Sequence, residues 1–277
     1  MPSYETPEPI SAAVHLPAGT LRLLTTGRGE TSVEVQPSDP EKKSDVQAVE
    51  QTRVEYANGK LKVKAPRQRG SQSGMLDIVV ELPDGSDLEI RSSSLDLRSK
   101  GRLGELRCRS ASGDIDLDVT GPLDLDTASG DVTVNRVTGR IDVELGSGDV
   151  HIHEIDGSGC VKSSSGDLRV GNVTGELRLN AASGDIALAV AHADVQAKAV
   201  TGNIVLGEVA RGSVAAETST GQLKIGIRDS VPAWLDLHSQ TGSVHNALAT
   251  TDGPEQGEET VKVEARSLSG DIVIHRS

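Results

Sequence analysis

The sequence predicts an all-β chain: a parallel β-solenoid with about 18 residues and two strands per coil, preceded by a β-rich cap. Three observations carry this. The first is a periodic tripeptide. Ser112-Gly113-Asp114, Ser129-Gly130-Asp131, Ser147-Gly148-Asp149, Ser165-Gly166-Asp167 and Ser183-Gly184-Asp185 follow one another at steps of 17, 18, 18 and 18 residues. Gly202 continues the series, which loosens through Gly221 and Gly242 and ends in Ser269-Gly270-Asp271. A period held this long is the signature of a repeat array. The second is strict alternation after each turn, as in Ile115-x-Leu117 and Leu123-x-Leu125. Residues two apart share a strand face but lie on opposite sides of a helix. The third is composition: no Phe, one Trp and two Tyr in 277 residues. Two walls about 10 Å apart hold interdigitated aliphatic chains and little more.

The elements follow in order. "AAVHLPAGTLRLLTT" and "TSVEVQPS" alternate as strands. Residues 44–52 read as a short helix with Ser44 at its N-cap and Asp45 in its first turn. Asn58-Gly59 between two alternating runs is a hairpin signal. Residues 65–74 form a polar, Gly- and Ser-rich loop. "MLDIVVELPDGSDLEIRS" is a strand, a turn at 83–85 and another strand. Residues 1–75 are therefore read as a cap with one short helix, and 76–277 as the solenoid. An uncovered coil exposes a strand edge, so repeat arrays need caps.

Within the solenoid a second turn, "VTG", divides each period into two half-repeats of about nine residues. Inward positions then form two columns: Ile115, Val132, Val150, Leu168, Ile186 and Ile204 on one wall, Leu123, Ile141, Val161, Leu177, Val195 and Val214 on the other. Each coil must reverse direction within two or three residues. Glycine supplies the positive φ of a tight corner, and Ser and Asp side chains bond backbone amides there. Near the end, Trp234 follows Pro232 and is placed to shield a late coil, and residues 250–260 form an acidic loop inserted between the last two strands.

The tandem "SGDI" and "VTG" halves, the entry "SDLEIRSSSLDLRSKGRLGELRCRSASGDI" and the closing "SLSGDIVIHRS" resemble a large bacterial family of β-strand-repeat proteins labelled putative adhesins, of unknown function. The resemblance spans nearly the whole chain. It implies the solenoid fold and brings no catalytic residues with it.

Composition excludes several functions. A net charge of -13 repels nucleic-acid phosphates and anionic lipid, so no nucleic-acid partner is expected. The N-terminal stretch has no basic run and no long apolar core, so neither secretion nor membrane insertion is expected. Cys108 and Cys160 lack metal-ligand spacing and read as free thiols, which points to the cytoplasm.

No cofactor is expected. Calcium is the alternative, because the stacked aspartates could share ions, but the glycine density of calcium-binding β-rolls is missing. His151 and His153 form an outward pair that could begin a zinc site, with no third ligand evident. Carboxylates such as Asp116, Asp118, Asp124, Asp126, Asp142 and Glu144 are scattered as on a solubilising face, and no nucleophile motif or phosphate loop occurs. No catalytic residue is assigned.

The wall after the tripeptide begins polar and becomes small and apolar at Ala187, Ala189, Val205, Gly207 and Gly226. Such a surface marks a contact, so a protein partner or self-association is expected. The chain reads as a non-enzymatic scaffold or interaction protein. The alternative is a carbohydrate-binding or carbohydrate-active surface solenoid.

Overall fold

The computed structural model describes residues 2–27, 29–66, 74–248 and 260–277, in two compact units, Met1–Thr138 and Gly139–Ser277. Most of the polar loop and of the acidic segment noted above, residues 67–73 and 249–259, lie outside the described residues. The fold is all-β, a parallel β-solenoid, with one helix among the described residues. That helix is nine residues long, and no described helix is long and apolar enough to cross a membrane.

The first unit contains β1 (Ser3–Glu5), β2 (Ser11–Thr26), β3 (Glu30–Pro37), α1 (Lys43–Gln51), β4 (Arg53–Ala57), β5 (Lys60–Lys64), β6 (Leu76–Pro83), β7 (Asp87–Lys100), β8 (Leu106–Ser110), β9 (Ile115–Thr120), β10 (Leu123–Ser129) and β11 (Val132–Thr138). β2 and β7 each make a whole coil in one strand. They pair in parallel from Ser11 opposite Asp87 to Leu24 opposite Lys100. On its other side β2 meets β5 through residues 11–15 and β6 through residues 19–26. β7 leads on to β8 and β9, and these to β10 and β11. Antiparallel strands finish the unit: β4 beside β5, β3 beside β6, and β1 beside β3.

The solenoid thus begins at β2, inside the segment read from sequence as a cap. Its corner is Pro17-Ala18-Gly19, which lacks the tripeptide and so escapes a search for it. Later residues, those of β5 and β6, form the coil that β2 stacks against. The helix also differs in detail. Lys42, not Ser44, holds the N-cap position, without a side-chain cap bond. The Ser44 hydroxyl donates to Asp45 instead. Asp45, 1% exposed, accepts the Met75 amide at 3.2 Å and pairs with Lys42 at 3.3 Å. Burial pushes its pKa up, but these bonds outweigh burial and hold the carboxyl below its usual range. The contact ties the start of α1 to the start of β6.

The second unit contains β12 (Ile141–Ser147), β13 (Val150–Asp156), β14 (Gly159–Ser165), β15 (Leu168–Val173), β16 (Leu177–Ser183), β17 (Ile186–Ala191), β18 (Val195–Thr201), β19 (Ile204–Val209), β20 (Gly212–Thr220), β21 (Leu223–Ile227), β22 (Ala233–Ser239), β23 (Val244–Asn246), β24 (Val261–Ser269) and β25 (Ile272–Arg276). The even strands from β12 to β20 stack in parallel as one wall, and the odd strands from β13 to β21 as the other.

Sequence order then breaks. β24 pairs with β20 on one side and β22 on the other, and β25 lies likewise between β21 and β23. The last coil in sequence is therefore the last but one in space. The Arg276 guanidinium donates to the carbonyls of Arg228 and Val231, at 2.9 and 2.8 Å, and so holds the segment that carries the chain past β25. The acidic segment joins β23 to β24 rather than the last two strands. Trp234 lies on β22 and, among the described residues, is 56% exposed, with the Lys262 ammonium 5.2 Å from its ring centre, so its ring is an outward one rather than a cover for the core.

The core is aliphatic. Ile115 and Val132 in the first unit, and Val150, Leu168, Ile186 and Ile204 in the second, are at most 1% exposed. The facing column runs Ile141, Gly159, Leu177, Val195, Val214. Gly159 takes the place expected for Val161, which aligns instead with Val143 and Leu179. The coils approach so closely at Gly159 that an added Cβ would collide with the Ile141 carbonyl.

Two glycines separate the two demands made on this residue. Gly166 has φ +124°, and a Cβ there would also strike the Gly148 carbonyl oxygen of the preceding coil. Gly59, in the hairpin turn, has φ +71° but open space around it. Gly166→Ala is expected to destabilise by about 3 kcal/mol or more, from strain plus collision, and Gly59→Ala by about 1 kcal/mol. Denaturant unfolding of the two variants checks the difference, and equal costs would disprove the stacking contribution.

Candidate functional site

The tripeptide corners make an inter-coil ladder. In the second unit the Asp167 amide donates to the Asp149 carboxylate at 2.8 Å, and the Asp185 amide to Asp167 at 2.8 Å. The Asn203 amide donates to Asp185 at 2.7 Å and the Gln222 amide to the Asn203 side-chain oxygen at 2.8 Å. At the end of the unit both the amide and hydroxyl of Ser243 donate to Asp271, at 2.8 Å. These bonds hold the exposed Asp271 carboxyl below its usual range. In the first unit the Asp114 amide donates to Asp96 at 3.2 Å and the Asp131 amide to Asp114 at 3.0 Å. The side chains therefore bond the next coil rather than their own corner.

The serines contribute through their backbone. The carbonyls of Ser165, Ser183 and Ser269 accept the amides of Gly148, Gly166 and Gly221, each at 3.0 Å. Ser147 lies opposite Ser165 in the same register. Ser112 and Ser129 also donate long hydroxyl bonds, 3.4 Å, to Ser93 and Ala111. The glycines of the six tripeptides, Gly113, Gly130, Gly148, Gly166, Gly184 and Gly270, all have positive φ, from 112° to 145°.

One carboxylate oxygen of Asp149, Asp167 and Asp185 is thus committed to an amide. Arg169 further neutralises two of the three, lying 3.5 Å from Asp149 and 2.7 Å from Asp167. Among the described residues no group of three or more His, Cys, Asp and Glu is arranged to hold a metal ion. His151 and His153 stand side by side, ring centres 4.5 Å apart, with Arg169 opposite His151 in the register. Burial, then the charges of His153 and Arg169, pushes the His151 pKa down. The neighbouring guanidinium opposes any added cation.

The two outward faces of the second unit differ. On the even wall, charges pair across coils: Lys162 with Glu144, Lys198 with Glu217 at 2.8 Å and Arg266 with Asp236 at 3.4 Å. These exposed pairs contribute little stability, and beside the corners the same wall exposes Val200 and Leu268, each 57%.

The odd wall carries the apolar residues named from the sequence. In register, Arg169 is followed by Ala187, Val205, Lys224 and Val273. Ala187 is half-buried, Ala189 exposed and Val205 38% exposed. Gly207 is half-buried and Gly226 buried. Both glycines have an internal reason to be small: a Cβ on Gly207 would crowd the Ala189 carbonyl, and one on Gly226 the Gly207 carbonyl. The accessible patch is therefore Ala187, Ala189, Val205 and Val273 around Lys224. Val273 is not legible from sequence as a member, because only the displaced order of the last coil brings it there.

The thiols differ too. Cys108 points into the core, and burial raises its pKa to about 12. Cys160 is half-exposed, with its pKa raised chiefly by burial. A raised thiol pKa disfavours the thiolate, the reactive species. Cys160 is expected to react with a thiol reagent at about pH 8 while Cys108 stays protected until the protein unfolds; mass spectrometry of the labelled chain checks the order.

The ladder yields a second test. Because Asn203 already serves in one rung, Asp185→Asn should hold stability within about 0.5 kcal/mol, whereas Asp185→Ala should cost about 1 kcal/mol by stranding the Asn203 amide. Thermal unfolding of both variants measures the gap, and equal losses would refute the rung.

The profile of the family described as Toastrack DUF4097 matches residues 20–209. No curated protein matches the chain. Among solved structures, a putative adhesin from Bacteroides fragilis is similar at 12% identity over 99% of this chain and 95% of that one, with a TM-score of 0.36. A putative cell adhesion protein from Clostridium sporogenes is similar at 12% identity over 100% and 98%, with a TM-score of 0.25.

Proposed function

The chain belongs to the Toastrack DUF4097 family, whose function is unknown, and from that premise we propose that it is a non-enzymatic scaffold that binds a protein partner through the odd wall of its second unit. The observation that carries this reading is the run of adjacent outward positions on the odd wall, Ala187, Val205, Lys224 and Val273 in one register column with Ala189 beside it, where small apolar residues surround one lysine. A flat aliphatic strip with one lysine at its centre suits a partner that offers an apolar strand or helix face and a carboxylate.

The reading needs no cofactor, since the corner carboxylates already serve the coil-to-coil ladder. Two free thiols accord with work in the reducing cytoplasm, which cell fractionation tests directly.

Val205→Lys tests the wall. Its side chain is exposed enough that stability should stay within the small range of surface substitutions, about 0.5 kcal/mol. Recovery of the partner from native cells, quantified by mass spectrometry against the unaltered protein, should fall about tenfold, the effect of one or two lost apolar contacts. Lys198→Glu, on the even wall, should leave recovery unchanged. Equal recovery with Val205→Lys would dismiss the odd wall as the binding face.

A further inference from the structure

Among the described residues, the coil β22–β23 is a repeat coil with one neighbour. Its register on β24 and β25 is regular, from Ala233 opposite Val261 to Ser239 opposite Ser267, and from Val244 opposite Ile272 to Asn246 opposite Ile274. In a parallel pair, alternate residues turn their amide and carbonyl to the two sides of the strand. The Gln240 amide donates to the Ser267 carbonyl and the Val261 amide to the Pro232 carbonyl. The even-numbered residues of β22 therefore face β24, and Leu235 and Leu237 turn their amides and carbonyls to the outer edge. No described strand pairs with that edge.

The side chains there are under-covered as well. Leu235 and Leu237 are half-buried and Val244 is 45% exposed, whereas their register partners Val263, Ala265 and Ile272 are 0% exposed. In the first unit the corresponding problem is solved by β3 and β4, which run antiparallel along the coil of β5 and β6. Antiparallel pairing is thus a way in which this chain already ends a wall.

We propose that a second copy of the chain closes this edge, β22 pairing antiparallel with β22 about a two-fold axis. Charge selects the arrangement. Alternation requires inward residues to face inward ones, so the register sum must be even. Placing Leu237 opposite itself sets Asp236 against His238 of the second copy, and by symmetry does so twice. Shifting by one pair sets Asp236 against Asp236, a like-charge contact. Asp236 also meets Arg266 of its own chain at 3.4 Å, an exposed pair compatible with a second neighbour. Two short strands bury a few hundred Å² per copy, below the roughly 800 Å² of a stable complex, so the dissociation constant falls at about 10–100 µM. This surface is separate from the odd-wall strip, and the test distinguishes them.

The mass of the full-length chain should double between about 5 and about 500 µM in sedimentation equilibrium, a range that spans such an affinity. Leu237→Lys should abolish the doubling. His238→Glu, at an exposed outward position where misfolding is not at issue, should weaken it about tenfold by facing Asp236 with a like charge. Adding Asp236→Lys to that variant should restore it. The introduced lysine of one copy then faces the introduced glutamate of the other, and within each chain that glutamate takes the place opposite Arg266. A monomer across the whole range overturns the proposal. So does doubling that survives both Leu237→Lys and His238→Glu, and so does doubling that is lost in Val205→Lys alone, which assigns self-association to the wall.

Discussion

Each coil rests on the one before it through a corner where backbone meets backbone. The carbonyl oxygen of Gly148 lies where a Cβ of Gly166 would be, and that of Gly166 where a Cβ of Gly184 would be. This close seating lets the aspartate of one coil reach the amide of the next. It also sets the spacing at which the aliphatic columns pack. A side chain at any of these corners would lift the coils apart and cost both the rung and the core contact. The tripeptide is thus a joint between layers. Its glycine permits the approach, its aspartate fastens it, and its serine supplies a carbonyl that many residues can replace. Thr201 and Thr220 do so for Gly184 and Gly202.

That division explains why some features are legible in the sequence and others are not. The period, the strand type and the inward columns follow from glycine spacing and alternation, which are local. Gly159 escapes the column read from sequence because it has no apolar side chain to mark it: it keeps the regular spacing, 18 residues after Ile141 and 18 before Leu177, but a search for an inward aliphatic residue passes over it to Val161. The first coil escapes because Pro17-Ala18-Gly19 turns without the tripeptide. The order of the last coils is not written locally at all. Thr241-Gly242-Ser243 and Ser269-Gly270-Asp271 are both competent corners, and choosing which stacks on Gly221 is a tertiary decision. The apolar strip is only partly readable for the same reason. Gly207 and Gly226 look alike as surface from the sequence, yet their size answers to neighbouring carbonyls, while Val273 joins from a strand out of sequence.

The two walls of the second unit show how one scaffold carries two surfaces without disturbing its interior. Inward positions are restricted to aliphatic chains by the narrow core. Outward positions are free of that demand, so the even wall carries paired charges beside the exposed Val200 and Leu268, and the odd wall small apolar residues around Lys224. A solenoid built this way changes its exterior one column at a time, because neighbouring outward positions are coupled only through weak exposed contacts.

The displaced coils bear on how the chain responds to force. A stacked array with its first and last coils outermost would peel from a loose end, one ladder at a time. Here β2 is flanked by β5 and β6 on one side and β7 on the other, and β24 and β25 are flanked by earlier strands on both sides. A pull on β25 therefore loads two hydrogen-bonded ladders together, along the strand direction, and so does a pull on β2 once the three-residue ladder of β1 on β3 has given way. In synthesis the same threading works in reverse. β2 leaves the ribosome early but has neither neighbour until residues 60–100 have followed, whereas β24 and β25 arrive last, onto β20 and β21, and only then give β22 and β23 a strand to pair with.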